Sequence, residues 1–411
     1  MFRVIPEAAL AASLVAAAVL LHAAEFEEPA VPALSELLPA ELRRSVHHSV
    51  EDVRIDGRFY SFSLDSEFGT YAVPSLALLR IRVREIETLS QAVNQFAPEE
   101  DQSRDEMRGQ YSVSADSALD ILTHPVSTAG DLAGQVAGNL NETFTGVAPG
   151  TAPGSTQRPE DGGGNDTVLE MHRRNAAAQW GLDPYSSNAR VQEFLDNVAR
   201  ARSAGRISAG TPTFLASTQR RLSVEDPVID AGVAAELKTR NAAELRTEGA
   251  ATLARIQVRA DLVGRFTNHA SYSPRHLVRI CRYLEALEGV LNRSAFIEAA
   301  LNAGDERMVL AFEEAAMMLV FYHRNVERLR KLHAGPAFLE ALTVGNRIVY
   351  IAPVDLVYWS RSVAELFDQQ LSRDRAAGLK GWEIVAAGTV TPTAARELGL
   401  RDYTVRDRFV R

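Results

Sequence analysis

Between residues 147 and 166 the chain loses every trace of apolar periodicity. Pro149-Gly150, Pro153-Gly154 and the run Gly162-Gly163-Gly164 fall within these 20 residues. No helix or strand pattern survives such a stretch, so it reads as a flexible linker. It constrains the fold more than any other feature, because the residues on either side must each build their own secondary structure. Apolar residues make up 46% of the chain, well above a disordered composition.

Residues 25–146 read as an acidic, mixed α/β region. After a proline- and acid-rich opening (29–44), residues 50–55 and 59–64 have strand character and flank Asp56-Gly57, a hairpin-turn signal. A third strand is expected over 69–73, before Pro74. The spacing of Leu78, Ile81, Ile86 and Leu89 predicts a helix over 75–96. Residues 97–110 are densely charged and read as a loop, and 114–122 as a short helix.

Residues 167–343 read as a helical domain, with helices expected over 167–180, 188–204, 233–246, 274–303 and 305–333. Ser273-Pro274 supplies an N-cap followed by proline at the first helical position, and Thr391-Pro392 repeats the device. Strand patterns over 347–351, 383–387 and 403–405 predict a small α/β C-terminal subdomain, 344–411, packed on the helical body. The expected fold class is mainly α (α+β), without a solenoid repeat.

Residues 1–24 carry the order of an export signal. Arg3 precedes an uncharged apolar run over 8–24. Ala23 and Ala24 follow, then the acidic Glu25, Glu27 and Glu28. The run has 17 residues and is rich in alanine. That is short of the roughly 20 strongly apolar residues a spanning helix needs, which favours a cleaved signal over a retained anchor. Glu7 and the large residues Leu21 and His22 depart from the pattern. With three lysines against 41 arginines and abundant alanine, residue usage is that of a GC-rich bacterial genome. The expected location is therefore the periplasm or the exterior. The one cysteine, Cys281, excludes an internal disulfide and falls on the apolar stripe of a predicted helix, where a buried, inert thiol is expected.

The net charge of −9 is uneven: residues 25–165 hold 23 acidic and 10 basic side chains, and residues 166–411 hold 29 and 33. Neither part has a basic stripe interleaved with aromatics, which argues against nucleic-acid binding.

Gly130, Gly134 and Gly138 lie on one helical face beside Ala129, Ala133 and Ala137. Such a face lets a second helix approach closely. It suits intramolecular packing, self-association, or peripheral membrane contact by a helix over 126–144. Asp131, Gln135 and Asn139 interrupt it, so it does not span. The polar stretch 183–188 resembles a binding loop. Its plainer reading is a helix stop at Gly181, a turn at Pro184 and a cap at Ser187 or Asn188. Asp355 is a carboxylate inside an apolar run that ends in Tyr358 and Trp359. It is the candidate catalytic residue, with helix capping or an arginine partner as the plainer roles.

His47 and His48 are adjacent, which on a strand points them to opposite faces. His323 and His333 fall on one predicted helix. No metal motif and no cofactor are expected. Nucleophile-elbow, dinucleotide and phosphate-loop motifs are absent. The expected function is an envelope-associated scaffold or binding protein without catalytic activity, with an envelope protein as partner. The alternatives are a periplasmic hydrolase centred near Asp355 and a membrane-surface-active protein acting through 126–144.

Overall fold

The computed structural model describes residues 26–96, 167–203, 226–335, 339–379 and 381–409. The export segment, the glycine series and the 147–166 stretch lie outside the described residues. Among the described residues, thirteen helices and a few small sheets give a mainly helical α+β fold.

The amino-terminal part opens with two single turns, α1 (Leu34–Leu37) and α2 (Ala40–Arg43). The hairpin follows as expected from the sequence. Strands β1 (His48–Asp56) and β2 (Phe59–Ser66) pair antiparallel, with Gly57 at φ 61° in the turn, and β3 (Tyr71–Val73) adds on the far side of β2. Alternation buries Phe62 and Leu64 and leaves the residues between them half-exposed. Helix α3 (Leu76–Phe96) packs on this sheet. Helices α4 (Val168–Trp180) and α5 (Ala189–Ser203) then close the same core. Trp180, Phe194 and Leu195 bury against Leu79, Val83 and Ile86, so residues on both sides of 147–166 share one hydrophobic centre.

A second core is built by α6 (Pro227–Thr239), α7 (Ala242–Arg255), α8 (Ala260–Thr267), α9 (Pro274–Glu285), α10 (Ser294–Ala300) and α11 (Glu306–Asn325). The helix expected over 233–246 is two helices. Asp226 caps α6 ahead of Pro227, Arg240 is extended, and Asn241 with Glu244 forms a capping box that starts α7. The helix expected over 274–303 is also two, divided where Gly289 and Asn292 take positive φ. The helix expected over 305–333 stops at Asn325 and the chain becomes a strand. His323 and His333 therefore belong to different elements.

That strand, β4 (Leu329–Ala334), edges a five-stranded sheet of order β10-β8-β6-β5-β4. β5 (Leu339–Thr343) and β6 (Ile348–Ala352) are buried at every residue, as central strands with both faces covered must be. β4, β5 and β6 run antiparallel. β8 (Trp382–Ala386) and β10 (Tyr403–Arg406) add in parallel, each reached through a helix, α12 (Arg361–Ala376) and α13 (Pro392–Gly399). A short parallel pair, β7 (Leu356–Val357) with β9 (Thr389–Val390), lies beside it. Gly388 sits in backbone contact with Asp355: a Cβ there would lie 2.0 Å from the Asp355 carbonyl oxygen. Among the described residues no helix is long and apolar enough to cross a membrane.

Candidate functional site

Asp355 lies just before β7 and is 1% exposed. Its Oδ2 accepts the backbone N–H of Tyr60 on β2 and of Leu76 in the first turn of α3, both at 3.0 Å. The backbone N–H groups of Asp355 and Leu356 donate in turn to the carbonyl of Arg58. A carboxylate at the open amides of a helix N-terminus is favoured by charge and by hydrogen bonding together. Asp355 caps α3 from a distance of 279 residues in sequence. The helix that follows it, α12, is capped by Ser360. Tyr358 and Trp359 lie on the same run, with Arg401 stacked on the Trp359 ring.

The densest cluster of ionisable groups lies elsewhere, where α3, the 182–188 loop, α9 and α11 meet. Gly181 ends α4 at φ 66°, and the Asn188 side chain caps α5 through the N–H of Arg190, as the plainer reading of this loop holds. The loop also does more. Arg82 and Glu85, one turn apart on α3 and both buried, are bonded at 2.8 Å. Glu85 also accepts from Ser186 Oγ and from Asn188 Nδ2 (3.0 Å). Arg82 reaches Ser187 and Glu306, the latter at 3.2 Å. Glu85 and Glu306 outweigh the burial of Arg82 and raise its pKa further, so it is a permanent cation.

Beside this network, Glu313 of α11 accepts from His276 and Arg279, with Arg275 at 3.5 Å. Burial pushes the Glu313 carboxyl up, but the two guanidiniums and His276 outweigh it and hold it well below the usual range. Burial raises Asp183, against the pull of Arg275 at 3.8 Å. Two recesses open here, of about 80 and 70 Å³. Both are lined by Ile81, Arg84 and Arg275. The second adds Arg80, Arg279, Glu313 and Glu314 around Ala77, Leu310 and Met317. A small-molecule pocket typically needs several hundred Å³, so these recesses admit a single side chain or a few waters.

A third cluster joins Ser45, His48 and Glu87. It has the residue types of a hydrolytic triad without the triad's connectivity. Ser45 Oγ and Glu87 Oε1 both address His48 Nδ1, at 2.9 and 3.0 Å, while Nε2 faces the carbonyl of Leu42 at 3.3 Å. In a relay the nucleophile and the acid bond opposite ring nitrogens. Ser45 instead donates to Glu87. His47 points away to Glu67, so the adjacent histidines do part, and each takes its own carboxylate.

None of these three clusters includes Asp355. The Arg82–Glu85 pair was detectable in sequence as an oppositely charged i, i+3 pair, on a helix that also carries Arg80, Arg84 and Glu87, but its partners from 186–188 and Glu306 were not. Cys281 is buried against Gly249, and burial pushes its thiol up to about 12, which makes it inert. Among the described residues no group of three or more His, Cys, Asp or Glu is placed to hold a metal ion. No protein-family model, curated protein or solved structure matches this chain.

Proposed function

We propose that the protein is an exported, envelope-associated binding or scaffold protein, and that it recognises its partner at the arginine-lined recess between α3, α9 and α11. The observation that carries this reading is how the ionisable groups are used. Asp355 serves backbone amides, and the Arg82–Glu85–Glu306 and Glu313 networks fasten one element to another. The second recess of this junction is lined by cations and carboxylates together, Arg80, Arg84, Arg275 and Arg279 with Glu313 and Glu314, around an apolar floor of Ala77, Leu310 and Met317. Arginine beside apolar surface is the composition of an interaction hot spot. Export rests on residues 1–24 and their order of charge, apolar run and small residues.

A photoreactive residue placed at Met317 tests the surface in living cells. A discrete cross-linked protein is expected. It is lost when Arg80 and Arg84 are both replaced by glutamate in a chain whose melting temperature stays within a few degrees. No cross-link, or one indifferent to the charge reversal, sinks the proposed surface. A hydrolase centred on Asp355 is the competing reading. It would require a hydrolytic activity of the exported protein that Asp355→Asn abolishes while the fold persists. Contact of 126–144 with a membrane surface would require flotation of the protein with liposomes. Deletion of residues 1–24 should leave the protein in the cytoplasmic fraction, and continued export overturns the location.

A further inference from the structure

On the face of the five-stranded sheet covered by α12, two carboxylates share one guanidinium. Glu340, the second residue of β5, is 3% exposed, and Asp374, in the last turn of α12, is 2% exposed. Arg373 donates to both oxygens of Glu340 at 2.9 Å and to Asp374 Oδ1 at 2.9 and 3.0 Å. Its own side chain is 43% exposed, so part of its charge is spent on water. Asp374 Oδ2 takes the Tyr350 hydroxyl. With both acids ionised the group carries one net negative charge under a helix, and one proton cancels it.

Every element packed around Glu340 contributes to this balance. β6 brings Tyr350 directly opposite Glu340, and β4 brings His333 opposite it on the other side. β10 adds Tyr403, whose ring lies 5.9 Å from that of Tyr350. α10 also packs on β5, and its carboxylate Glu298 is half-exposed and paired with Arg259. The remaining nearby cations, Arg330 and Lys331, act on His333, which burial and these charges together keep below its ordinary value. His333 is therefore uncharged near neutral pH, and among the described residues Arg373 is the cation bonded to both members of the pair.

We propose that Glu340, Asp374 and Arg373 form a proton-dependent latch that seats the C-terminal turns of α12 on the sheet. The first turns of α12 are held by Val363, Leu366 and Phe367, which are buried and indifferent to pH. The last turns depend on Gln370, Leu371 and Asp374, and end at Gly378 with φ 68°. When Glu340 carries the proton, Arg373 and Asp374 form a one-to-one pair and the latch is neutral. When it loses the proton, two buried carboxylates compete for a guanidinium that already faces solvent, and the end of the helix loosens.

Burial, opposed by Arg373 and reinforced by Asp374, pushes Glu340 up to about 7. A carboxyl raised above its unfolded value near 4.3 contributes stability that is complete below that value and is lost as pH rises through the folded one. The latch is therefore closed under mildly acidic conditions and open in mild alkali.

Hydrogen exchange of the full chain at about pH 5.5 and about pH 8.5, corrected for intrinsic rates, reads this directly. Amides of residues 370–377 should lose about tenfold more protection across that interval than amides of α11. Glu340→Gln should abolish the difference. Asp374→Asn leaves Glu340 alone with Arg373 and should move the midpoint of the loss to lower pH. Where Glu340→Gln does not fold, that midpoint decides. A lower midpoint supports the latch, and an unchanged one overturns it. A flat profile in the unmodified chain, or a step that survives Glu340→Gln, also overturns it.

Discussion

At the scale of single residues, Asp355 shows how a carboxylate in an apolar run acquires its role from backbone far away in sequence. Its Oδ2 accepts from amides on β2 and α3, and both bonds are buried. Removing the carboxylate strands them, and each unsatisfied buried donor costs about 1–3 kcal/mol. Asp355→Ala should therefore destabilise the protein by roughly 3–5 kcal/mol in urea unfolding. Asp355→Asn keeps one acceptor oxygen for these amides while losing the charge and turning the other oxygen into an N–H donor, so a smaller cost of about 1–2 kcal/mol is expected. Equal costs for the two variants would mean that packing, not hydrogen bonding to the amides, sets the residue's contribution. The backbone contact with Gly388 adds a steric demand at the same point, since no residue with a Cβ fits there without moving the strand.

At the scale of elements, the sequence was legible wherever a local signal marks a boundary. The hairpin at Asp56-Gly57, the caps at Ser273 and Thr391, and strands β6, β8 and β10 all carry such signals. It was illegible where apolar content continues across a break. Residues 326–334 follow α11 without proline or glycine, and pairing with β5 on one side and with Leu291 on the other makes 329–334 a strand. The candidate cleft was hidden for the same reason: its residues come from four elements brought together by packing. Glu85 is the test of that junction. It holds Arg82, Ser186 and Asn188, and without it Arg82 stays buried with Glu306 as a carboxylate partner. Glu85→Ala should cost roughly 3–5 kcal/mol, the usual penalty for breaking a buried pair on one side. In a double-mutant cycle with Asn188→Ala the coupling should reach about 1 kcal/mol or more. Additive effects would show that the loop and α3 are joined by apolar contacts alone.

At the scale of the whole molecule, the two hydrophobic cores meet through a small set of polar ties. Asp355 and the Arg58 carbonyl link the amino-terminal sheet to β7. Arg307 of α11 bonds Asp56 at 2.8 Å and lies over the Phe59 ring, and Phe59 itself belongs to the larger core. Leu310 of α11 and Leu356 of β7 are buried in the smaller core, so each core borrows side chains from the other's elements. Ahead of both, Glu27 accepts from the Trp359 amide and from Thr391 Oγ1, which pins the described start of the chain across α12 and α13. Cores that share side chains and are tied by buried hydrogen bonds should unfold together. Calorimetry of the intact chain should therefore show one transition with matching calorimetric and van't Hoff enthalpies. Asp355→Ala, which cuts the tie between β2, α3 and β7, should lower that transition and split it, the smaller core melting first. Two transitions in the unmodified chain would make the cores independent units. One undivided transition in the variant would place the coupling in Arg307 and the shared leucines instead.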